Sequence, residues 1–279
     1  MKVLINYADA KFSSAQRWNS WSAKRIAKFD GIFAFHPDDI DSSFKENHKE
    51  IFKEKRGGGL WLWKPYFIHK VMQTLNDGDI IFYCDAGAIF IRYPQAVYDS
   101  LSDMNPLFVC DIPLIESCWT KPACFREMGC DTDEIKCSNQ IIGTYFALMV
   151  NDFTRRFVEE WLGYCCRYEL ISPAGLSKKK VLNHCYGTNF VSHREDQSIF
   201  SLMCKKYGVV PHKDISQRGK VPESYQSEYY GYKEPVHPND SYNSILYLHK
   251  APSLSTYIMK KIYSTFHIAF IKQIFFFLY

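Results

Sequence analysis

An aspartate stands directly after a wholly apolar segment, where a side chain is well placed to bind a ligand. The run Ile80–Cys84 is followed by Asp85, Ala86 and Gly87. Such a run is typical of a strand buried on both faces of a sheet, and ligands of open α/β sheets bind at the carboxyl ends of the strands. A carboxylate there can hold a divalent metal ion or a ribose hydroxyl, and Gly87 allows the backbone to approach a ligand closely. The alternative interpretation is a surface aspartate that begins a turn.

The surrounding pattern alternates strands with helices, which predicts an α/β domain with a mostly parallel central sheet flanked by helices. Strands are predicted at residues 3–7, 31–35, 80–84, 107–110, 140–150 and 245–248, and helices at 14–29, 44–55, 61–75, 94–101, 152–168 and 195–206. Residues 112–139 are rich in Cys, Pro and Glu and are predicted to form an irregular excursion over the site. Because no internal repeat divides the chain, we expect one domain over residues 1–252 and an appended segment over 253–279.

The excess positive charge is confined to the end of the chain. All 30 acidic residues lie at or before Asp240, whereas four of the 34 basic residues follow it. Residues 1–240 are therefore neutral, and the net charge of +4 belongs to the remainder. A nucleic-acid-binding protein would carry its positive charge on a face of the folded body. No nucleic-acid partner is therefore expected.

The cysteines and the first residues indicate a cytoplasmic protein. The ten cysteines are scattered through predicted strands and helices without a C-x-x-C pair, which favours reduced thiols over a disulfide framework. The opening MKVLINYADAKF has an apolar run too brief for a secretory signal, and it is predicted to form the first buried strand.

The segment from Arg56 to Gly87 carries the most specific pattern, RGGGLWLWKPYFIHKVMQTLNDGDIIFYCDAG. It resembles the core of bacterial capsule and O-antigen type glycosyltransferases of the GT-A fold, in which Gly-x-Gly-Tyr-Trp-x-Trp-Lys-Pro precedes Gly-Asp-Ile-x-x-Tyr-x-Asp-Ala-Gly. The likeness extends to INYADAKF at 5–12 and HREDQSIFSLMCKKYG at 193–208. It implies the Rossmann-like GT-A architecture. Two positions depart from the pattern: Leu60 replaces an aromatic residue, and Gly87 stands where a full D-x-D motif has its second acid.

The resemblance implies a nucleotide-sugar donor, with UDP-hexose or UDP-galactofuranose expected first. Tyr7 and Asp9, at the tip of the first strand, would seat the base and ribose. Arg56 and Lys64 flank a glycine-rich turn before a helix whose N-terminal amides also favour anions, so both are candidates for binding the diphosphate. Asp111 is a weaker candidate, for the hydroxyls of the donor sugar.

A metal site is also implied, although the motif is incomplete. In GT-A enzymes the D-x-D carboxylates usually hold Mn²⁺ or Mg²⁺, and here Asp85 would bind such an ion together with substrate phosphates and water. His249 resembles the C-terminal histidine that completes the metal shell in some GT-A enzymes, and Lys250 beside it can contact phosphate. Ala86 and Gly87 would complete the donor-binding turn. The alternative for His249 is a hydrogen-bonded histidine at a strand end.

The candidate catalytic carboxylates lie in the segment His193-Arg194-Glu195-Asp196-Gln197. If the reaction inverts the anomeric centre, Asp196 is the expected base that takes the acceptor's proton, with Glu195 as its competitor. If the configuration is retained, Asp196 and Gln197 would instead position donor or acceptor by hydrogen bonding. The alternative is a helix N-terminus enriched in acidic residues.

The C-terminal segment 253–279 is predicted to be an amphipathic helix with lysines opposite a broad apolar face. Its longest uncharged run, from Ile262 to Ile271, is about half a membrane span. We therefore expect it to lie in the plane of an anionic membrane, which would hold the protein on the inner face of the cell membrane. The alternative is a helix packed on the protein itself or on a second subunit.

These observations predict a glycosyltransferase that moves a sugar from a UDP-sugar to a hydroxyl of a polyprenyl-linked or growing surface glycan. Because the D-x-D motif is incomplete, a membrane-attached protein that binds nucleotide sugars or glycans without catalysis is a second interpretation. A hydrolase with Asp85 and Asp196 as its acid and base is a third, and the sequence has no metal-hydrolase cluster to support it.

Overall fold

A five-stranded sheet forms the centre of the molecule. The computed structural model describes residues 1–174, 190–225, 231–253, 255–256 and 258–259. The strands are β1 (Lys2–Tyr7), β2 (Gly31–Phe35), β3 (Ile80–Cys84), β4 (Ala88–Phe90), β5 (Leu107–Phe108), β6 (Asp111–Ile115), β7 (Asn139–Ile141), β8 (Tyr145–Met149) and β9 (Leu246–Leu248). The main sheet has the order β2-β1-β3-β8-β5. In it β1 is parallel to β2 and β3, whereas β8 is antiparallel to its neighbours β3 and β5. The predicted α/β class is confirmed, with β8 as the reversed strand.

Helices cover both faces of this sheet. They are α1 (Ser13–Ser22), which continues as a π-helical turn at Ala23–Ala27, α2 (Ser42–Asn47), α3 (Lys49–Phe52), α4 (Gly57–Leu60), α5 (Trp63–Met72), α6 (Gln95–Ser100), α7 (Glu116–Trp119), α8 (Pro122–Glu127), α9 (Asp133–Lys136), α10 (Asp152–Cys165), α11 (Tyr168–Ile171) and α12 (Glu195–Lys206). Single 3₁₀ turns occur at Pro37–Asp39, Gln217–Lys220 and Pro222–Tyr225.

The alternation of side chains along the central strands creates two apolar cores. Val3 and Ile81 face one core, which α5, α10 and α12 close, whereas Leu4 and Phe82 face the other, which contains β4 and β9. Side chains of one strand point alternately to the two faces, so a run such as Ile80–Cys84 must be apolar throughout. All cysteines within the described residues are free.

Two predictions of local structure were wrong. Residues 112–139 are not an irregular excursion, because they contain most of β6 and the helices α7, α8 and α9. These three helices are too short to show a helical period in the sequence. The single strand predicted at 140–150 is divided between sheets, since β7 pairs with β6 while β8 joins the main sheet. The chain changes sheets around Gly143, whose amide and carbonyl are hydrogen-bonded to side chains instead of a strand.

The appended segment predicted at 253–279 falls almost wholly outside the described residues. Within the described parts of the chain, no helix has both the length and the apolar character needed to cross a membrane.

A fully buried carboxylate, Glu116, ties α7 to α12. It forms an ion pair with Lys205 and accepts hydrogen bonds from the hydroxyls of Thr120 and Ser201 and from the amide of Gln140. A buried charge is tolerated only when it is paired and fully hydrogen-bonded. This network therefore holds α12, and with it Glu195 and Asp196, in one position.

Replacing Glu116 tests this role. We expect Glu116→Ala to lower the free energy of unfolding by about 3–5 kcal/mol, because it leaves the Lys205 ammonium without its partner. In urea denaturation, Glu46→Ala, which removes an exposed carboxylate paired with Lys49, should change stability by less than about 1 kcal/mol. Equal effects for the two variants would contradict the assignment.

Candidate active site

The candidate residues lie at the carboxyl edge of the main sheet. Because β1 and β3 are adjacent and parallel, with Ile5 opposite Tyr83, their last residues reach the same edge. Tyr7 ends β1, and Asp85 follows β3 directly. This is the edge at which open α/β sheets bind ligands.

A buried lysine joins the segments that meet there. Lys64 lies in the first turn of α5 and its side chain is 4% exposed. Its ammonium is 2.5 Å from Oδ2 of Asp196, 2.9 Å from the carbonyl oxygen of Gly143 and 4.0 Å from Oδ1 of Asp85. The predicted carboxylates Asp85 and Asp196, far apart in the sequence, thus share one cation.

Burial and charge set the protonation of this cluster. Burial, opposed by Lys64 and aided by the charges of Asp85 and Glu195, raises the pKa of Asp196 to about 6. Burial alone would lower the pKa of Lys64, but Asp196 and then Asp85 outweigh it, so the pKa is raised. Near neutral pH the lysine is therefore charged and Asp196 is largely ionised.

Tyr83 fixes the accessible carboxylate. Burial, and next the charge of Asp85, raise the pKa of Tyr83 well above its usual value, so its hydroxyl stays protonated. That hydroxyl donates a hydrogen bond of 2.5 Å to Oδ1 of Asp85. The Asp85 side chain is 36% exposed, against 4% for Lys64 and 5% for Asp196. Asp85 is thus the member of the cluster that faces solvent.

A second ion pair flanks the first. Arg56 forms a bidentate ion pair with Glu195, with Nε 2.6 Å from Oε1 and Nη2 3.2 Å from Oε2. The Glu195 side chain is 4% exposed and that of Arg56 is 44% exposed. Burial raises the pKa of Glu195, and Arg56 opposes the shift. Both oxygens of Glu195 are therefore committed to Arg56, which distinguishes it from its neighbour Asp196.

The glycine-rich block labelled α4 is a tight turn, because Gly58 and Gly59 within it have non-helical backbone angles. Gly57, Gly58 and Gly59 all have positive φ, and a Cβ on Gly57 would lie 2.4 Å from the ring of Trp61. Only glycine fits such positions without strain. The carbonyl of Gly57 accepts a 2.8 Å hydrogen bond from the indole of Trp63. The turn therefore fixes both tryptophans.

Tyr7 and Asp9 lie beside this turn. The ring of Tyr7 stacks on Trp63 at a centroid separation of 3.8 Å. Burial, followed by the charge of Asp9, raises the pKa of Tyr7. Asp9 is exposed, and its Oδ1 accepts a 3.0 Å hydrogen bond from the amide of Phe12. Both residues stand at the carboxyl edge of the sheet, and their role in binding a nucleoside stays a prediction.

Gln197 supports the loop that carries Gly143. Its Oε1 accepts the amide of Gly143 at 3.2 Å, and its amide nitrogen donates to Gln140 at 2.8 Å. A Cβ on Gly143 would lie 3.2 Å from the Cβ of Gln197. The oxygen and the nitrogen of the Gln197 side-chain amide are thus both hydrogen-bonded within the protein. These contacts orient the Gly143 carbonyl toward Lys64.

The turn after Asp85 is held by the last strand. The carbonyl of Gly87 accepts hydrogen bonds from the amides of His249 at 3.0 Å and Lys250 at 2.9 Å, and Ala86 is buried. A Cβ on Gly87 would lie 3.3 Å from the Cα of Lys250. The predicted association of the Asp85 turn with His249 and Lys250 is therefore present in the backbone.

The donors for a metal ion are few. In the described part of the chain, no group of three or more His, Cys, Asp and Glu side chains could hold a cation. Asp85 is partly engaged by Tyr83 and Lys64, and Nδ1 of His249 accepts the amide of Ala251 at 3.2 Å. An ion that used Asp85 and His249 would therefore need most of its ligands from substrate and water.

Asp111 does not join the Lys64 cluster. It begins β6, and its Oδ1 lies 2.6 Å from Nε2 of His237. The hydrogen bond to Asp111 raises the pKa of His237 despite its partial burial. Both residues line a cavity of about 280 Å³, with Lys213 and Tyr225 among its walls and without Lys64, Asp85 or Asp196.

Sequence reasoning missed the groups that connect the predicted residues. Tyr83 was assigned only to an apolar strand, and its hydrogen bond to Asp85 follows from a spacing of two residues on one strand face. The sequence cannot single out the carbonyl of Gly143, because every residue has a backbone carbonyl. His237 lies in a stretch for which the sequence predicts neither a strand nor a helix.

Comparisons with known proteins place the fold. No protein-family model matches the chain, and no curated protein matches it. Among solved structures, an active-site mutant of LgtC superposes with a TM-score of 0.50 and 11% sequence identity, over 89% of this chain and 86% of that one.

Two further solved structures are similar at lower scores. The galactosyltransferase LgtC in complex with donor and acceptor sugar analogues has a TM-score of 0.49 and 12% identity, over 89% of this chain and 86% of that one. Mouse xyloside xylosyltransferase 1 has a TM-score of 0.44 and 9% identity, over 89% and 97%. The mixed sheet flanked by helices is the GT-A fold of glycosyltransferases.

Proposed function

We propose that this protein transfers a sugar from a nucleotide-sugar donor to a hydroxyl group. The observation that carries the proposal is the accessible carboxylate Asp85, held against Lys64 and Asp196 at the carboxyl edge of a GT-A sheet. Fold alone does not define chemistry, and here the fold and the polar cluster support the same class. LgtC, which has this fold, was solved with donor and acceptor sugar analogues.

Asp85 and Arg56 are the groups that meet the donor in this proposal. Each is the solvent-facing member of an ion pair whose partner is buried. Arg56 can turn toward a diphosphate while remaining near Glu195, and its planar guanidinium suits phosphate oxygens. Tyr7 and Asp9 border the nucleoside, and Lys250 approaches from the turn held by Gly87. Lys64 does not meet the donor directly in this proposal, since its ammonium already contacts the Gly143 carbonyl and Asp196.

Asp196 is the proposed base if the reaction inverts configuration. It would accept the proton of the acceptor hydroxyl while the new C–O bond forms and the nucleoside diphosphate leaves with the electrons of the broken bond. Because Asp196 is buried, the acceptor hydroxyl must enter the site and contact the carboxylate itself. If the reaction retains configuration, Asp196 and Gln197 would instead hold Lys64 and the Gly143 loop in place.

A divalent ion, Mn²⁺ or Mg²⁺, is part of the proposal. Asp85 and His249 are the residues that would hold it, with phosphate oxygens and water as further ligands. When bound, such an ion neutralises the charge that develops on the leaving diphosphate.

The finer identity of the substrates follows the sequence resemblance. We propose UDP-hexose or UDP-galactofuranose as donor and a polyprenyl-linked or growing surface glycan, of the capsule or O-antigen kind, as acceptor. Residues 253–279 would hold the enzyme on the inner face of the cell membrane, because their lysines and aromatic residues suit an anionic leaflet.

The central test is release of UDP from a panel of UDP-sugars. We expect Asp85→Asn to lower the rate by about 10²-fold or more, the range for loss of a positioned charged group. Asp103→Asn, which neutralises an exposed aspartate, is the matched control and should leave the rate unchanged. Tight UDP binding without turnover of any donor would instead support the non-catalytic binding protein.

The raised pKa of Asp196 predicts a pH dependence. If its ionised form is required, kcat/KM should rise with pH through about 6 and then level, since that parameter reports the free enzyme. Asp196→Asn should abolish this limb of the profile. Wild-type activity and an unchanged profile in Asp196→Asn would remove the residue from the mechanism.

The metal proposal predicts that chelation stops the reaction. Treatment with EDTA should abolish UDP release, and Mn²⁺ or Mg²⁺ should restore it in the wild type but not in Asp85→Ala. Replacement His249→Ala should raise the concentration of metal required by about 10- to 100-fold. Full activity in EDTA would reject the metal and leave Arg56 and Lys250 as the cationic partners of the diphosphate.

A further inference from the structure

Helix α1 has an unusual distribution of side chains. Its buried residues are Ala15, Gln16, Asn19 and Ser22, which are small or polar. Its exposed side carries two tryptophans, Trp18 at 42% and Trp21 at 52% exposure. A helix on a globular protein normally buries its apolar stripe and exposes its polar one. In α1 this arrangement is reversed.

The buried polar face is satisfied by the protein and is not free to turn outward. Asn19 donates a 2.9 Å hydrogen bond to the carbonyl of Ala88, and its Oδ1 accepts one of 2.7 Å from Asn6. The hydroxyl of Ser22 accepts the amide of Phe90 at 3.0 Å. The helix is therefore fixed in rotation, with both tryptophans held in solvent.

Several cations lie close in sequence to the two tryptophans. Arg17, Lys24 and Arg25 are exposed on α1 and the π-helical turn, and Lys28 is exposed directly after that turn. No acidic residue occurs between Asp9 and Asp30, a stretch that also includes Lys11. The body of the protein is charge-balanced only on average, and this face is strongly positive.

Pro252 lies beside the first turn of this helix. The amide of Ala15 donates a 3.0 Å hydrogen bond to the carbonyl of Pro252, immediately before the segment 253–279. Ile258 and Met259, which follow, are 47% and 66% exposed. The first turn of α1 and the start of the C-terminal segment thus lie on the same side of the molecule.

We propose that the exposed face of α1 docks on an anionic membrane surface. Tryptophan has an apolar ring and a polar N–H, which suits the boundary between headgroups and acyl chains. The cations would lie among acidic headgroups, each adding to the attraction. Stable attachment of a peripheral protein generally requires two signals, and this face would supply one within the catalytic body. The site does not depend on sugar transfer.

The test measures binding of the full-length protein to lipid vesicles by sedimentation. Vesicles of equal parts phosphatidylglycerol and phosphatidylcholine should bind the protein, and vesicles of phosphatidylcholine alone should bind it much more weakly. We expect Arg17→Gln/Arg25→Gln to weaken binding roughly 30-fold, and Trp18→Ser/Trp21→Ser to weaken it as well. Controls with the same changes elsewhere are Lys49→Gln/Lys53→Gln and Met104→Ser/Val210→Ser, which alter exposed residues outside α1.

A second readout separates this face from the C-terminal segment. Phosphatidylglycerol vesicles that contain lipids brominated in the acyl chains quench only tryptophans that enter the bilayer. Wild-type fluorescence should be quenched, and Trp18→Phe/Trp21→Phe should lose that quenching while unfolding at the same urea concentration. Absence of vesicle binding, unchanged binding in the α1 variants, or unquenched tryptophans on bound protein would each overturn the proposal. The last two results would identify the C-terminal segment as the attachment; UDP release would be unaffected in all cases.

Discussion

The structure of the site depends on one buried ion pair, Lys64 with Asp196. Removing two charges from water costs several kcal/mol per ion, and a pair repays this only with good geometry and further hydrogen bonds. The close approach of the ammonium to Asp196, to the Gly143 carbonyl and to Asp85 supplies that geometry. The helices α5 and α12, the strand β3 and the loop before β8 must therefore all be in place together.

Other buried polar contacts hold these elements in position. Glu116 ties α12 to α7, and Gln197 shapes the loop that carries Gly143. Arg56 and Glu195 add a second pair at the start of α12. Glu195 and Lys64 are buried and already engaged by protein groups, so their more exposed partners, Arg56 and Asp85, are the charges left to meet a donor. This division between supporting and contacting charges is what makes the edge of the sheet a binding surface.

The sequence predicted elements and residues better than their connections. The strand Ile80–Cys84 and the helix Glu195–Lys206 were predicted with their observed bounds, because an apolar run and a helical period are local signals. Asp85, Lys64 and Asp196 were each singled out, but their mutual contact depends on tertiary folding. The sheet change near Gly143 and the separate cavity of Asp111 have no local signal, since both depend on contacts between distant segments.

The hydrogen bonds from residues 249 and 250 to Gly87 also determine when the folded site can assemble during synthesis. The turn after β3 leaves the ribosome before the strand β9 and the residues after it that secure the turn. Contacts of such long sequence separation form late because the loop must close first. A nascent chain therefore carries Asp85 without its final support until β9 emerges, so the finished site belongs to the completed body alone.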